Sequence, residues 1–571
     1  MDKRTVIGII IIAAILILTP YYMKFVSGDP EPVAAEQTGE AETDRTSHER
    51  RGEVHQERPR QQDISPSGDT LLPMHSIGGE IDDALDTIPE KLVFVRTRHY
   101  DIELTTRGGD IKSFTSREFP DVFGEPMNFC HSEIVGPNFE VVAYRGREVI
   151  SSAGLNFVVD VDTLVLNEFD DEGAVTFVAY LPEGGLLQRR YHFRYDDYAF
   201  EHTTLFAGDS AFDRLDETVL WWRKGLEPSD PAVKQNVSQS YRAGYYLGDT
   251  YHSEKFSSSE SPRFFSEGSA GWVATLNKYF AVMIAPMEGY ALGVRGDGVW
   301  YSSDKFDGSN RQIPAIGVGL SYHGGNIPYS RTDLVYIGPR DLKLLSEYGR
   351  KFEKAVDLGW RWLAPITKIF ILIFDFLFGI LGNYGFVIIV FSILIKIAFL
   401  PLSRKQMQSM KKMKDLQPKL DELKEKYATD VKKLNEETMK LYQKEKINPL
   451  GGCLPMIPQM PIFFALFAML RNSFALRGAP FALWLTDLSA KDPYYILPIL
   501  MGISMFIQQK LTMKDPKQKA MVYMMPLLFL FMFRNMPSGL VLYWLCFNIF
   551  SLAQTLWVEY KSKQESALAK A

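Results

Sequence analysis

YGFVIIVFSILIKIAFLPL, residues 384–402, is an apolar run long enough to cross a bilayer as a helix. One charge interrupts it, Lys396. A cation inside a span costs at least ~2.5–3.5 kcal/mol on insertion scales, so its presence calls for a reason. Lys396 stands six residues before Leu402, which is about 9 Å of helix. A lysine stem covers part of that distance, so two readings stand side by side. Lys396 snorkels to the inner surface, or it faces a water-containing cavity in the inner leaflet.

Four further stretches have the length or apolarity of spans: 453–470, 494–511, 521–533 and 540–558. The third is short, which fits a locally thinned bilayer. At the N-terminus, Lys3 and Arg4 precede an apolar run from Val6 to Leu18, followed by Tyr21 and Tyr22. No small-x-small cleavage site follows directly, and the tyrosines suit an interfacial belt. Residues 1–26 therefore read as an uncleaved anchor, and the chain as a polytopic α-helical membrane protein of six spans.

The average composition hides a segregation. The chain has 571 residues and a net charge of −6, which argues against a general or sequence-specific nucleic-acid binder. Residues 27–91 alone hold 16 acidic and 6 basic side chains. With few large apolar residues and no aromatic ones, this segment reads as a disordered acidic linker. From Leu92 to Arg340 the pattern is period-2 alternation, as in LVFVRTRHYDIELTT, AVTFVAYL and LLQRRYHFRY, broken at Gly108-Gly109, Gly184-Gly185 and Gly324-Gly325. About 250 residues of short strands predict a large all-β, sandwich-like domain. Residues 341–358 have a helical amphipathic period. Residues 360–381 are apolar but carry Arg361, Lys368 and Asp375. The region 341–382 thus reads as amphipathic and interfacial helices.

Loop charge sets the orientation. Residues 403–450 contain 13 Lys or Arg against 8 Asp or Glu, and the loop 512–520 holds Lys514, Lys517 and Lys519. Both read as cytoplasmic. Both termini then lie inside, including the tail 559–571, and the β-domain lies outside. Within 403–450, Leu416, Leu420, Leu423 and Tyr427 recur at helical spacing, as do Val431, Leu434, Thr438 and Leu441. Asp430 is placed to cap the second helix. The loop reads as a helical hairpin, a docking arm presenting Lys411, Lys412, Lys424, Lys426, Lys432 and Lys433.

Other polar side chains share the spans with Lys396. Gln459 sits among Pro455, Pro458 and Pro461, and Gln508 and Gln509 end the stretch 494–511. Asn548, Ser551 and Thr555 fall on one face of the last span, with Trp544 a turn earlier. Singly, each reads as an interhelical hydrogen bond. Together with Lys396 they read as a partly hydrophilic interior, which methionines such as Met460 and Met505 surround with adaptable apolar surface.

Catalytic signatures are absent: no HExxH, GxSxG, Walker A or metal-spaced His/Cys cluster occurs. Cys130, Cys453 and Cys546 form no CxxC pair. No catalytic residue, metal or cofactor is expected. One enzyme alternative survives on spacing, an intramembrane protease using Ser392 and Lys396 at i, i+4. A secondary transporter is the other alternative, although no repeat is visible among the spans.

NPLGGCLPMIPQMPIFFALFAML (448–470), APFALWLTDLSAKDPYYILPILMG (479–502) and MPSGLVLYWLCFNIFSLAQ (536–554) closely resemble the YidC/Oxa/Alb family of membrane-protein insertases in its Gram-negative form. So do LQPKLDELKEKY in the hairpin and GNYGFVIIV at the start of the second span. The resemblance covers essentially the whole chain. It implies an inner-membrane insertase with a periplasmic β-supersandwich domain. It also implies a groove open to cytoplasm and lipid, with a cation at the position of Lys396. Gln459, Asn548, Ser551 and Thr555 would line it. The implied partners are nascent membrane proteins, ribosome–nascent chain complexes, the Sec translocon and the phospholipid bilayer. Many members carry Arg where this chain has Lys396, so the charge is kept and the bidentate fork is lost.

Overall fold

The structure is a computed structural model. It describes residues 89–568 apart from 122–123, 131–133, 182–183, 209–211, 230–240, 257–262, 304–310, 402–415, 446–455 and 513–518. The expected anchor 1–26, the linker through residue 88, and Lys411 and Lys412 of the docking arm lie outside the described residues.

Strands run from Leu92 to Pro339. The first apolar run is not one strand. Thr97 turns it, its hydroxyl accepting from the N–H groups of His99 at 3.2 Å and Tyr100 at 3.1 Å. Leu92–Arg96 then pairs antiparallel with Tyr100–Thr105. Asp110–Pro120 and Pro126–Asn128 extend this sheet on one side, and Thr163–Val165 joins in parallel on the other. The remaining described strands form one large antiparallel sheet. Its path runs from Glu148–Ser151 and Phe139–Arg145 through Glu217–Trp222, Arg311–His323, Ala291–Ser303 and Phe264–Leu276. It continues through Phe280–Pro286, Tyr329–Pro339, Ala199–Ala207, Leu186–Arg194 and Glu172–Tyr180 to Val158–Val159.

The alternation read in the sequence becomes the core. Along Leu186–Arg194, Leu187, Arg189, Tyr191 and Phe193 point inward, opposite Phe200, His202, Thr204 and Phe206 of the neighbouring strand. Phe139, Phe177 and Trp222 close the same core, to which Val93, Val95, Ile102 and Leu104 of the smaller sheet contribute. The inward arginine is fully buried. Its Nε donates to His202 Nε2 at 3.2 Å, and its Nη1 donates to Gly108 O at 2.7 Å and Phe139 O at 3.1 Å. Gly108 and Gly109 both have left-handed φ, 76° and 56°, and the turn they make aims the Gly108 carbonyl at Arg189. Burial, then the Arg189 charge, pushes the His202 imidazole well below its ordinary pKa, which keeps Nε2 an acceptor.

The helical part follows. Its described helices are α1 (Leu342–Glu347), α2 (Ala364–Leu381), α3 (Tyr384–Ala398), α4 (Gln417–Lys426), α5 (Val431–Lys444), α6 (Met456–Asn472), α7 (Ile496–Thr512), α8 (Lys519–Phe533) and α9 (Ser538–Leu568). Two of them, α2 and Ser538–Val558 within α9, are long and apolar enough to cross a membrane by length and composition. Tyr384–Ala398, Ile496–Leu511 and Val522–Phe533 are shorter apolar helices. Six spans therefore do not emerge from helix length alone. α2 passes the same test as α9, although its charges predict an interfacial helix.

α2, α3 and α6–α9 share one core. Phe370 and Phe374 of α2 pack on Phe391 of α3, each with centroids 5.0 Å apart. Leu466 and Leu470 of α6, Met501 of α7, Phe529 and Phe533 of α8, and Leu540 and Val541 of α9 complete it. α4 and α5 form the hairpin. Leu416 and Leu420 are buried, and Asp430 caps α5 by accepting from Lys433 N at 2.9 Å. Val431, expected on the apolar stripe, is 42% exposed because it opens the helix just beyond the turn.

The β-domain is seated on the bundle. Phe474, just beyond α6, packs between Phe119 (5.1 Å) and Phe280 (5.4 Å). Arg477 donates to the carbonyls of Pro120 at 2.5 Å and Ser229 at 3.2 Å and lies over the Phe280 ring. Asn472 Nδ2 donates to Asp357 O at 2.9 Å.

Candidate functional site

One end of the bundle is sealed by the loop between α6 and α7. Asp492, almost fully buried, accepts from Leu497 N at 2.7 Å, Tyr494 N at 3.0 Å and Trp484 Nε1 at 3.1 Å. Asp487 accepts from Gly478 N at 3.1 Å, Ser489 N at 2.8 Å and Ser489 Oγ at 2.7 Å. Ser538 at the head of α9 donates back to this loop, through its N to Ala490 O at 2.6 Å and its Oγ to Asp487 O at 3.0 Å. Asn383 caps α3 and ties it to the same loop through Pro480 O at 3.2 Å. Gly385 is required here, since a Cβ would lie 1.9 Å from the Phe481 ring.

Toward the other end of α3 lies Lys396, half-buried. Its Nζ donates to Ser551 Oγ at 2.7 Å and stands 4.9 Å from the centre of the Phe547 ring. Ser551 Oγ donates in turn to Phe547 O at 2.8 Å, four residues back along α9. One helical turn of α9 thus supplies the acceptor, the ring face and the bond that orients the hydroxyl. Thr555 Oγ1 donates to Ser551 O at 2.9 Å, within the same helix.

Of the residues singled out in the sequence, Lys396 and Ser551 are in direct contact. Asn548 and Thr555 lie on the same stretch of α9, with Asn548 7% exposed. Gln459 is half-buried on α6, outside the contacts of Lys396 among the described residues. The protease alternative loses its geometry. Ser392 Oγ donates to Ile388 O at 2.7 Å, while Lys396 bonds to Ser551 instead. A serine four residues away on one helix had the spacing, but its hydroxyl turns onto its own backbone.

Phe547 was not anticipated, although its place one turn before Ser551 could have suggested it. Tyr543 was also missed. Its Oη, Trp544 Nε1 and Asn548 Nδ2 are buried without a hydrogen-bond partner. Among the described residues no group of three His, Cys, Asp or Glu side chains is placed to hold a metal ion.

On the hairpin, Lys426 and Lys433 come from different helices and both lie 5.6 Å from the Tyr427 ring centre. Lys432 is exposed beside them. Lys424 is paired with Asp421 at 3.0 Å. The basic side chains therefore gather at the hairpin turn.

Fold and site together define a class: a helical apolar bundle with a lysine and amide and hydroxyl groups inside, bearing a large β-sheet domain. Comparison with known proteins narrows it. Residues 376–565 match the family described as 60Kd inner membrane protein, and residues 92–373 match the YidC periplasmic domain. The membrane protein insertase YidC of Syntrophus aciditrophicus is 33% identical over 565 residues, 98% of this chain and 99% of the relative. That of Chloroherpeton thalassium is 30% identical over 593 residues, 100% of this chain and 98% of the relative. Among solved structures, a crystal structure of active YidC insertase with its first transmembrane domain resolved aligns with 82% of this chain and 94% of that one, at 18% identity and a TM-score of 0.37. The chain belongs to the YidC family of membrane protein insertases.

Proposed function

We propose that this chain is a non-enzymatic insertase that moves nascent hydrophobic segments from the cytoplasm into the inner membrane. The path is a hydrophilic groove open to lipid and carrying Lys396, used alone or beside the Sec translocon. The observation that carries the reading is the Lys396–Ser551 hydrogen bond of 2.7 Å. Lys396 lies six residues before Leu402, where the apolar run 384–402 ends, and Ser551 seven before Val558, where the apolar part of α9 ends, so both sit about 9–10 Å from the inner ends of those apolar stretches. A lysine that merely snorkelled would turn toward its own helix end and not across to α9.

The mechanism follows from what these groups do. Residues 341–382 lie at the outer interface, the β-domain is periplasmic, and both termini are cytoplasmic. A nascent chain arrives from the ribosome at the basic turn of the hairpin, around Lys426, Lys432 and Lys433. Its polar flank enters the groove, where water and the Lys396 ammonium lower the cost of carrying polar and acidic groups into the membrane. Its apolar segment slides into lipid along α6 and α8. Burial of that segment supplies the driving force, so no nucleotide is required.

Photocrosslinking from position 396 to a stalled single-span nascent chain tests the path. Adducts should map to the polar flank preceding the apolar segment. Adducts to lipid alone would remove the groove reading.

A further inference from the structure

The loop that seals the bundle holds Leu483 and Tyr495 with left-handed φ of 56° and 59°. Among the described residues from α2 onward, no other non-glycine residue has a positive φ. Such backbone suits glycine and asparagine and is unfavourable for Leu or Tyr. Both side chains nevertheless turn outward, Leu483 with 89% of its surface exposed and Tyr495 with 39%. Asp492 maintains both positions. It accepts from Trp484 Nε1, beside Leu483, and from the N–H groups of Tyr494 and Leu497, on either side of Tyr495. The turn at Leu483 is closed by Phe481 N donating to Leu485 O at 2.9 Å and Leu485 N donating to Ala482 O at 3.1 Å. Strain that the surroundings maintain points to a use.

We infer that Leu483 is held out to enter the hydrocarbon of the outer leaflet, with Tyr495 at the headgroup boundary, so that the bilayer itself holds the sealing loop in place. This inference rests on the outer placement of this end of the bundle in the reading above, the end where Phe474 and Arg477 seat the β-domain.

Continuity with the helix faces names the occupant. Ile499, Ile503 and Ile507 are exposed at four-residue steps along α7. Ile499 N donates to Tyr495 O at 3.1 Å, so Tyr495 heads this stripe. On α3, Phe386, Ile393 and Ile397 are exposed, and the Phe386 ring meets Phe481, at the foot of the Leu483 turn, edge-on at 5.4 Å. The two strained residues thus prolong two apolar helix faces that meet lipid in the insertase reading. Lys491 is exposed with its Nζ 5.9 Å from the Tyr495 ring centre. Tyrosine beside an exposed lysine belongs at the level of the headgroups.

The test uses the full chain in a Cys130→Ala, Cys453→Ala, Cys546→Ala background, with one cysteine returned as Leu483→Cys or as Thr486→Cys, an exposed position of the same loop. An impermeant maleimide added to spheroplasts should react with Thr486→Cys about tenfold faster, because a thiol in hydrocarbon forms little thiolate. Equal rates put Leu483 in water and overturn the inference. No reaction at Thr486→Cys withdraws the outer placement, and the inference with it. In phosphatidylethanolamine/phosphatidylglycerol proteoliposomes, a bimane label on Leu483→Cys should be quenched more by acyl-chain nitroxide lipids than by iodide. Quenching that varies with the protein-to-lipid ratio assigns the contact to a second copy of the chain and overturns the inference.

Hydrogen exchange in the same proteoliposomes measures the hold. Leu483→Asn relaxes the backbone but removes the apolar side chain, so the amides of residues 484–497 should exchange about tenfold faster. Leu483→Met keeps the apolar bulk and should stay within about twofold of the parent. Slower exchange in Leu483→Asn, as relief of strain alone would give, overturns the inference, and so does unchanged exchange. No client enters these measurements, so their outcome is separate from that of the insertion assays on Lys396→Ala.

Discussion

Arg189 and Lys396 are both cations set among apolar side chains, and the two regions of the molecule treat them in opposite ways. Arg189, in the β-domain, is fully buried and donates to a ring nitrogen, two main-chain carbonyls and the Ser152 hydroxyl at 3.3 Å. Its guanidinium also lies against the rings of Phe139 and Tyr191. Lys396, in the bundle, is half-buried and bonded to a single hydroxyl. A fully buried cation with four acceptors around it is part of the architecture, even though Arg189 Nη2 is left unpaired. A half-buried cation with one acceptor is available to something that arrives.

The largest effect is expected where the wrapped cation is broken. Arg189→Leu leaves the carbonyls of Gly108 and Phe139 without this donor and should destabilise the β-domain by about 1–3 kcal/mol for each. Lys396→Ala should leave denaturant unfolding within about 1 kcal/mol of the parent. If both variants lower stability equally, the contrast between the two cations fails.

Proton linkage sharpens the same contrast. Burial pushes the carboxyls of Asp110 and Asp333 up to about 6 from 3.8, although backbone N–H groups and Arg189 pull Asp110, and Arg331 pulls Asp333, the other way. A raised carboxyl pKa means that the folded state holds the proton more tightly. Stability from each group is therefore present below about pH 4 and lost as pH rises through about 6, by up to about 3 kcal/mol per group. Unfolding measured across pH 4–8 should show this decline, and Asp333→Asn should flatten part of it. In Arg189→Leu the Asp110 contribution should be lost over a range reaching higher pH, because a neighbouring cation is gone.

A smaller effect is expected at the partner of the available cation. Ser551→Ala removes the hydroxyl that Lys396 meets, worth about 1 kcal/mol and so roughly fivefold in the insertion rate of an acidic-flank client. Ser551→Thr should restore it. Loss without rescue would make Ser551 a packing residue.

The legibility of these regions in the sequence differs for physical reasons. Lys396 was visible because one charge stands out in an apolar span, and the strand region because alternation is a local property. Arg189 was hidden inside LLQRRYHFRY, where alternation marks it as inward-facing but nothing local names its acceptors. Gly108 and Phe139 lie 81 and 50 residues away. The pairing of Lys396 with Ser551 spans 155 residues and was likewise a matter of packing. Ser392 had the right spacing for a Ser-Lys pair and the wrong partner, because a helical serine readily bonds the carbonyl four residues back. Helix length alone does not separate an interfacial helix from a span: α2, which reads as interfacial by its charges, passes the same length and composition test as the last span.

The most direct test of the central claim is the insertion of two matched single-span clients by Lys396→Ala in proteoliposomes, one flank acidic and one neutral. One unit charge at contact range in a partly hydrated site is worth about 1–4 kcal/mol. The acidic-flank rate should therefore fall about tenfold or more, with the neutral-flank rate changed much less. Parent rates for both clients would contradict the account of Lys396 as the available cation of the groove.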